Sequence, residues 1–388
     1  MRVLVWQWGR RGAGPRIAME LAEGLRRVLG TKALLSLSTG AEILRGPAPP
    51  ACDLPVPTYQ GLVGLIGRLM AMPFALPFLT RKLRALAPDL AICAMPAPLD
   101  VLLATALRRT RIPVVVIVHD ADLHPGDAFP LQMTLHRRLM RQADALVALT
   151  EHVATRLREQ GLAGNEGSGK PLLRASLPPF LFGPVPTSPR SHGGKLRLLS
   201  FGRLLPYKGL DLFAEALNIV GAFRDEIEVR VVGSGPESAP LQALRSLSNV
   251  NVENRWVPED EVGDLLAWAD ALVLSHREAS QSGVAAAAIA AGRWVVSTRV
   301  GGLVEQLGAE PLALFCDPDP ASLAGALRTL IEAPPSASLA SIADPRTEWR
   351  RIAETILRDV ERIWPVGRST GPLVSAPGQT ARQPISPR

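Results

Sequence analysis

The chain has 388 residues, and its hydrophobic fraction of 47% with 20% charged residues is ordinary for a globular protein. This length favours two domains rather than one. Three cysteines, Cys52, Cys93 and Cys316, lie far apart without CxxC spacing, which argues against a disulfide framework and a cysteine zinc site and favours a reducing cytoplasm.

The charge balance is basic, with 43 Lys and Arg against 36 Asp and Glu and a net charge of +7. Basic proteins bind nucleic acid, anionic lipid or phosphorylated substrates. The arginines are scattered and the chain has only two Tyr, so the interleaved aromatic residues typical of nucleic-acid binding are missing. We therefore expect no nucleic acid partner, and favour anionic lipid or a phosphorylated sugar.

The N-terminal sequence MRVLVWQWGRRG predicts a strand and a turn, because its apolar run is too short for a signal peptide. No uninterrupted apolar run reaches about 18 residues, so no transmembrane helix is expected. The strand should cover residues 3–6, followed by Gly9, Gly12 and Gly14 and a helix at about 15–29. The glycines form either a tight strand–helix turn or a loop that faces a ligand.

The first half continues with apolar runs at residues 33–37, 89–94, 114–118 and 145–149, with helical segments at 99–109 and 129–142. This alternation predicts a parallel sheet covered on both faces. Ligands bind at the carboxyl ends of the strands in such sheets. His119-Asp120 and Thr150-Glu151 directly follow two of the strands, so we expect both pairs to point into one crevice.

Residues 61–86, GLVGLIGRLMAMPFALPFLTRKLRAL, are apolar on nearly all sides until the basic cluster at 81–84. Pro73 and Pro77 should break the segment into two short helices. One interpretation is core and subunit packing. The other is a patch that meets an anionic membrane surface or a lipid acceptor, with the basic side chains at the headgroups.

The strand–helix pattern restarts after a Gly/Ser/Pro-rich linker at residues 187–195. Gly202-Arg203 should form a turn, and Lys208 should open a helix that runs to about residue 223. Further strands are predicted at 196–201, 227–232, 250–252, 271–274 and 294–298, and further helices at 259–269 and 284–291.

Four motifs then occur in order: FGRLLPYKGLD (201–211), VVGSGPE (231–237), WADALVLSHRE (268–278) and AAIAAGRWVVSTRVGGLVE (287–305). In order and spacing they resemble the C-terminal domain of the family 4 retaining glycosyltransferases (glycosyl transferases group 1). The motifs cover rather more than a quarter of the chain. The resemblance implies an α/β protein with the GT-B fold, in which two Rossmann-like parallel-sheet domains face each other across a cleft.

The resemblance also implies the domain limits. Residues 1–186 would form the acceptor-side domain, completed by a returning C-terminal helix at 346–364. Residues 196–345 would form the nucleotide-sugar-binding domain. Residues 365–388 are rich in Pro, Ser, Gly and Gln and are predicted to be disordered.

Family members move a sugar from a nucleotide diphosphate to a hydroxyl, and without a metal the leaving diphosphate needs cations and aimed N–H groups. The resemblance thus implies no metal and no cofactor beyond the sugar nucleotide, which is a co-substrate. Arg203 and Lys208 match the family's basic pair, and His119 matches its N-terminal histidine, expected to act more as a positioning residue than as a general base. The other expected donor-binding residues are Gly12, Gly14, Gly202, Val257, Glu278, Gln281, Ser282, Gly283, Val284 and Glu305.

The alanine-rich helix departs from the family pattern. The family has two glutamates eight positions apart, and the second, which binds the nucleotide ribose, corresponds to Ala287. The first falls at Ala279, so either a loop difference brings Glu278 near the sugar or both acidic contacts are absent. Losing a charged hydrogen bond weakens binding by about 1.5–3 kcal/mol unless another group replaces it. Glu305 matches the family's GGxxE loop and is equally placed to stabilise a helix N-terminus.

These interpretations predict a retaining hexosyltransferase (EC 2.4) that acts on a hydroxyl of a glycan, lipid-linked or polysaccharide-precursor acceptor. We expect it in the cytoplasm, with residues 61–86 attaching it peripherally to the inner face of the cell membrane. The alternative is a catalytically inactive sugar-nucleotide-binding or scaffold protein of the same fold, because Ala287 removes an acid. The motifs leave the donor sugar, the nucleotide base, the acceptor and the oligomeric state open.

Overall fold

The computed structural model describes residues 1–46, 48–123, 126, 130–164, 169–183, 194–332 and 344–364. These residues form two parallel sheets of six strands each, with helices on both faces. The fold class agrees with the expectation from the sequence. Most of the predicted linker and the whole of the predicted disordered tail lie outside the described residues.

The first sheet has the spatial order β2-β1-β3-β4-β5-β6. Its strands are β1 (Arg2–Gln7), β2 (Lys32–Leu37), β3 (Leu90–Cys93), β4 (Val114–Val118), β5 (Ala145–Ala148) and β6 (Leu172–Arg174). Strands β3, β4 and β5 are buried along their whole length. This burial on both faces explains why they are continuous apolar runs in the sequence. The short strand β6 was not predicted.

The first sheet is covered by helices α1 (Ala13–Arg26), α2 (Gly61–Met70), α3 (Met72–Leu86), α4 (Asp100–Arg109), α5 (Pro130–Gln142) and α6 (Glu151–Glu159), with a 3₁₀ turn at Glu42–Leu44. Two helices occur in the 61–86 segment as expected, but they meet at Ala71, and Pro77 lies inside α3 without breaking it. Pro73 sits in the first turn of α3, where its missing N–H is not needed. Among the described residues, no single helix is long and apolar enough to cross a bilayer; α2 and α3 meet this requirement only together and are bent by 73°.

The second sheet has the spatial order β12-β11-β10-β7-β8-β9. Its strands are β7 (Leu196–Arg203), β8 (Ile227–Ser234), β9 (Val250–Asn254), β10 (Ala271–Leu274), β11 (Trp294–Thr298) and β12 (Ala313–Cys316). Its helices are α7 (Leu210–Val220), α8 (Ala239–Arg245), α9 (Glu259–Trp268), α10 (Gly283–Ala290), α11 (Leu303–Leu307) and α12 (Pro320–Glu332), with 3₁₀ turns at Pro206–Lys208 and Gly221–Glu226. Strand β12 and helix α12 were not predicted.

The prediction of a turn at Gly202-Arg203 is wrong. Both residues extend β7, and Gly202 pairs with Gly233 while Arg203 pairs with Ser234 of β8. A Cβ atom on Gly233 would lie 1.6 Å from the carbonyl oxygen of Gly202, so only glycine allows this approach of the two strands. The glycines thus permit close strand pairing rather than a turn. As a result, β7 continues as far as Arg203, its last residue.

The last helix, α13 (Pro345–Ile363), returns to the first domain and packs on α1. Trp349, Ile352 and Ala353 belong to the same buried cluster as the apolar face of α1. A Cβ atom on Gly24 of α1 would lie 2.3 Å from the carbonyl oxygen of Trp349, which shows how closely the two helix backbones approach. The C-terminal helix therefore completes the core of the first domain.

Candidate active site

A cavity of about 530 Å³ lies between the two sheets, and residues of both domains line it. Its first-domain wall comes from the segments that follow β1, β3 and β4, and from α5. Its second-domain wall comes from the segments that follow β7, β8, β9 and β10. This is the edge where the carboxyl ends of parallel strands meet, the usual ligand site in such sheets. The predicted residues that line it are Gly12, Gly14, His119, Gly202, Arg203, Lys208, Val257, Gln281, Ser282, Gly283 and Val284.

The second-domain wall is cationic. Arg203 ends β7, and Lys208 follows in the 3₁₀ turn, so the five-residue spacing brings both side chains to the ring of Tyr207, at 5.5 and 5.2 Å from its centroid. Lys208 Nζ lies 2.8 Å from Nε2 of His276, which follows β10. The two cations therefore share one aromatic support and one side of the cavity.

The ammonium group of Lys208 is poorly solvated. Burial in the wall, followed by repulsion from Arg203, lowers the pKa of Lys208 to about 7, and the carboxylate of Asp120 across the cavity opposes this shift. A lysine with this pKa exchanges its proton near neutral pH. A bound anion would favour its protonated form, so this part of the wall is suited to a diphosphate.

The N-terminus of α10 supplies backbone N–H groups to the same wall. Ser282 is the N-cap, and its side chain accepts a hydrogen bond from Ala285 N at 3.2 Å. The N–H of Ser282 donates to Gln306 Oε1 at 2.8 Å, so this N–H, which was predicted to face a phosphate, is already used by the protein. The first-turn N–H groups of Gly283 and Val284 precede the bond from Ala286 N to Ser282 O and remain suited to an anion.

Gln281 connects the two walls. Its Nε2 donates to the carbonyl oxygen of His119 at 2.9 Å, and its buried Oε1 has no hydrogen-bond partner within the described part of the chain. Gln281 therefore joins the loop before α10 to the carboxyl end of β4 in the first domain.

His119 is buried and neutral. Its Nε2 lies 3.2 Å from the carbonyl oxygen of Ala94, which can only accept, so Nε2 carries the proton and Nδ1 does not. Burial lowers the pKa of His119, and Asp120 opposes this shift. With Nε2 engaged by the backbone, the ring is held in a fixed orientation in the cavity wall, which agrees with a positioning role.

The first glycine loop forms the start of α1 at the cavity. Gly12 is the N-cap of α1 with φ 77°, a left-handed conformation that favours glycine. A Cβ atom on Gly14 would lie 2.6 Å from Gln7 Nε2. The loop is thus both a tight strand–helix turn and part of the ligand cavity, so the two interpretations of the sequence are compatible.

Trp256 and Val257 line the cavity next to the first domain. Trp256 Nε1 donates to Glu42 Oε1 at 2.9 Å, and the guanidinium of Arg11 lies 5.3 Å from the Trp256 ring centroid. Contacts with the first domain therefore fix the Trp256 side chain beside Val257.

Four residues expected at the crevice do not line the cavity. Glu278 is exposed at the surface. Glu305 accepts from Glu151 N at 2.6 Å and from Arg174 Nη2 at 2.8 Å, so its carboxylate caps α6 of the other domain. Thr150 caps the same helix and donates to Ser280 O at 3.1 Å. The expectation that Thr150 and Glu151 point into the crevice is wrong, because α6 starts there and uses both residues in its first turn.

Several residues at the cavity were not singled out from the sequence: Tyr207, His276 and Glu259 on the second-domain wall, and Gln132 and His136 on the first. The position of His276 directly after β10 could have indicated it, because the same argument indicated His119. Glu259 pairs with Arg16 of α1, and Arg16 Nε lies 2.7 Å from Glu259 Oε1. No local pattern marks this pair.

Ala287 is buried among apolar side chains on α10 and does not line the cavity. No ribose contact can come from its methyl group. Within the described ranges, no three His, Cys, Asp or Glu side chains converge as a metal site.

Two family sequence patterns match the chain. The pattern described as "Glycosyl transferase 4-like domain" matches residues 11–166, and "Glycosyl transferases group 1" matches residues 195–333. Among curated protein sequences, none matches.

Solved structures share the fold at low sequence identity. HepE of Anabaena, in complex with UDP and glucose, is 16% identical with a TM-score of 0.63, over 94% of this chain and 99% of HepE. Sucrose-phosphate synthase from Thermosynechococcus elongatus is 15% identical with a TM-score of 0.57, over 92% of this chain and 94% of that one. UDP-GlcNAc 2-epimerase from Neisseria meningitidis, bound to UDP-GlcNAc, is 14% identical with a TM-score of 0.56, over 92% and 100%.

Two parallel-sheet domains that enclose a cationic cavity between their strand ends define a protein of the GT-B class. The two matched ranges fall one in each domain and confirm the family resemblance of the motifs. The chain belongs to the group 1 family of glycosyltransferases.

Proposed function

We propose that the protein is a retaining glycosyltransferase that moves a hexosyl group from a nucleoside-diphosphate sugar to a hydroxyl of a glycan, lipid-linked or polysaccharide-precursor acceptor. The observation that carries this proposal is the convergence of Arg203, Lys208 and the N-terminus of α10 on one wall of the cavity. Among the described residues that line that wall, Glu259 alone carries a side-chain carboxylate, so the wall is suited to an anion.

Charge on the leaving group explains why these residues would accelerate transfer. As the bond from the anomeric carbon to the phosphate oxygen breaks, negative charge grows on the diphosphate. Arg203 can contact two phosphate oxygens, protonated Lys208 acts as a point charge, and the N–H groups of Gly283 and Val284 donate to a third position. These groups are already in place before the reaction, so little reorganisation is needed.

Retention fits a front-face displacement in this cavity. The acceptor oxygen bonds to the anomeric carbon on the face that the phosphate leaves, and its proton passes to a phosphate oxygen. His119 would orient the transferred sugar through its fixed ring, since Nε2 is held by Ala94 O. No cofactor is needed for this chemistry, and the sugar nucleotide is a co-substrate.

Two experiments test this proposal: one identifies the sugar nucleotide that binds, and the other determines the anomeric configuration of the product. In a thermal-shift panel of UDP-, GDP-, ADP- and CMP-sugars, we expect at least one to raise the unfolding midpoint. Proton NMR of the transfer product should then show the anomeric configuration of the donor. If no sugar nucleotide shifts the midpoint while another phosphorylated metabolite does, the transferase proposal is wrong.

The proposal that the acceptor lies at a membrane surface is based on helices α2 and α3. This helix pair exposes the large apolar side chains Leu62, Val63, Ile66, Met70, Phe74 and Phe78. Arg81, Lys82 and Arg84 follow on the same segment and are exposed. Apolar side chains next to basic ones complement an anionic lipid surface. We therefore propose that residues 61–86 bind the inner face of the cell membrane, where a lipid-linked acceptor would be presented.

Flotation with vesicles of phosphatidylglycerol and phosphatidylethanolamine tests this attachment. We expect the protein to float at low salt and a Phe74→Ser/Phe78→Ser variant to remain in the soluble fraction. Leu29→Ser is the matched control, because Leu29 is an exposed apolar residue outside this segment. Wild-type protein that stays entirely in the soluble fraction would exclude the membrane proposal without affecting the donor site.

The alternative function is a sugar-nucleotide-binding protein without turnover. Ala287 favours it, because the methyl group is buried and cannot replace an acid at the ribose. Such a protein would show a thermal shift with a sugar nucleotide but would neither transfer nor hydrolyse it. An epimerase of the same fold would instead convert the sugar of the nucleotide, and analysis of the recovered nucleotide separates the three outcomes.

A further inference from the structure

The first-domain wall of the cavity contains a second buried histidine. Helix α5 contributes Gln132, Met133 and His136 to the cavity, positions that share one helix face. His136 is 9% exposed. Burial lowers the pKa of His136 and of Lys208, and the carboxylate of Asp120 opposes the shift in both, so Asp120 lies near each of these side chains.

His136 has an unsatisfied polar atom. Its Nε2 is buried and has no hydrogen-bond partner in the part of the chain that the structure describes. Buried polar atoms are almost always paired in native proteins, and leaving one unpaired is unfavourable. Because burial lowers the pKa of His136 to about 4, the ring is neutral at physiological pH and offers one donor and one acceptor nitrogen. A ligand hydroxyl that enters this wall and reaches Nε2 would satisfy the atom.

We propose that His136 Nε2 binds a hydroxyl group of the acceptor sugar and positions the acceptor against the donor. This inference rests on the proposed transferase function and names the acceptor-side contact. A hydroxyl can accept or donate, so it pairs with Nε2 in either tautomer.

The chemistry of the wall favours a hydroxyl over a phosphate. Arg203 and Lys208 line the second-domain wall and Arg11 lies beside Trp256, whereas His136 is neutral and close to the carboxylate of Asp120. A phosphate at His136 would meet the carboxylate of Asp120 without the positive charge that Arg203 and Lys208 provide on the second-domain wall. The apolar neighbours on this wall are Met133 and Leu123. A neutral polyol with polar edges and an apolar face, which is the chemistry of a sugar ring, matches this set of side chains.

The test is a titration of methyl glycosides into the full chain saturated with the nucleotide identified in the thermal-shift panel. The probes are the methyl glycosides of glucose, mannose, galactose and N-acetylglucosamine, and binding is measured by saturation-transfer difference NMR. His136→Phe keeps a flat ring of similar size and removes both nitrogens. We expect it to weaken glycoside binding about 10-fold and to change nucleotide affinity less than about 2-fold.

Two further variants separate a binding role from a structural one. His136→Gln places an amide nitrogen near the Nε2 position and should recover most of the affinity for the glycoside. His152→Phe is the matched control, because His152 is an exposed histidine of the same domain. The thermal midpoint of His136→Phe should equal or exceed that of the wild type, since an unpaired buried atom is removed. If this variant does not fold, His136→Ala serves for the same comparison.

Each outcome decides the proposal. Wild-type glycoside affinity in the folded His136→Phe protein overturns it, and so does a wild type that binds the nucleotide but none of the four glycosides. In both cases the donor site remains supported. If no sugar nucleotide binds, the proposed transferase function fails instead.

Discussion

The two walls of the cavity differ in charge: the second-domain wall carries two basic side chains, and the first-domain wall carries two neutral imidazoles. The second-domain wall places Arg203 and Lys208 side by side next to the N-terminus of α10, so it concentrates positive charge. The first-domain wall uses His119 and His136, whose pKa values burial lowers, so its imidazoles are neutral. One wall is therefore suited to the charged leaving group of the proposed reaction, and the other to its uncharged acceptor hydroxyl.

This difference has a physical origin in how each wall is held. The cations stand at the end of β7 and in the turn after it, where the ligand replaces water. The imidazoles are fixed by packing and, for His119, by the carbonyl oxygen of Ala94. A desolvated cation is unfavourable without an anion, so the second wall needs its ligand more than the first.

Substitution of Arg203 should have the largest effect and tests the difference between the two walls most directly. We expect Arg203→Ala to lower turnover by about 100-fold or more, because one preformed contact to the developing charge is lost. Steady-state kinetics with the identified donor measures this. Arg277→Ala is the control, since Arg277 is exposed, lies outside the cavity and pairs with Asp211. Unchanged turnover in Arg203→Ala would contradict the assigned role of the cationic wall.

Buried Asp100 stabilises the first-domain wall through hydrogen bonds to its backbone. Its carboxylate accepts hydrogen bonds from Ala97 N at 2.7 Å and Trp8 N at 3.1 Å, and so holds the segment that lines the cavity after β3. Asp100→Ala leaves both N–H groups buried and unpaired, which should destabilise the protein by about 2–3 kcal/mol at pH 5. Urea unfolding measures this, with Glu354→Ala in an exposed ion pair as the control. A change below that of the control would contradict this support.

Burial raises the pKa of Asp100 from 3.8 to about 7. The folded state thus keeps a proton that the unfolded state releases near pH 4, so this group makes stability fall as pH rises from about 4 to about 7 and adds no further change above. Asp100→Asn should remove that part of the pH dependence.

Donor binding should depend on pH through Lys208. Its pKa of about 7 means that the free protein loses the charge as pH rises, so nucleotide affinity should fall by up to about tenfold per pH unit above 7. Isothermal titration calorimetry in buffers of different ionisation enthalpy should show proton uptake on binding. Lys208→Arg should bind without this uptake, because arginine stays protonated. Equal affinity of the wild type at pH 6.5 and 8.5 would exclude the linkage.

Substitution of Glu305 should have the smallest effect. It tests whether this residue binds the nucleotide or only contacts the first domain. Its carboxylate bonds Glu151 N and Arg174 outside the cavity. Glu305→Gln should change nucleotide affinity less than about 2-fold and stability by at most about 1 kcal/mol, as is usual for exposed pairs. A tenfold loss of nucleotide affinity would instead favour the donor contact that the GGxxE motif predicts.

Local patterns were sufficient for most of the strands, but not for β6 and β12, and a family motif was sufficient for the cationic pair. Strands β4, β10 and β11 were predicted with the observed limits: β4 and β10 are continuous apolar runs, and β11 is an apolar run followed by Ser297 and Thr298. Arg203 and Lys208 were found through their spacing in a motif. The prediction at Gly202 failed because glycine has two uses, and only the pairing with Gly233 shows which one applies.

The contacts between the two domains could not be predicted from the sequence. Gln281 and His119 are 162 positions apart, and Glu305 and Glu151 are 154 apart. No periodicity links such residues. His136 is distinguished from His152, another helical histidine, by its burial, its place in the cavity wall and its unpaired Nε2, and all three are properties of the folded chain.

Hydrophobic periodicity was enough to predict parallel sheets in both halves of the chain, and the resemblance of four ordered motifs to a known family identified that family and the basic pair Arg203 and Lys208. The tertiary structure decided which N–H groups of the α10 turn remain for a ligand, moved Glu305 from the donor to the domain contact, and placed His136 in the opposite wall. Those assignments depend on which side chains meet across the cavity, and that is set by packing of residues distant in sequence.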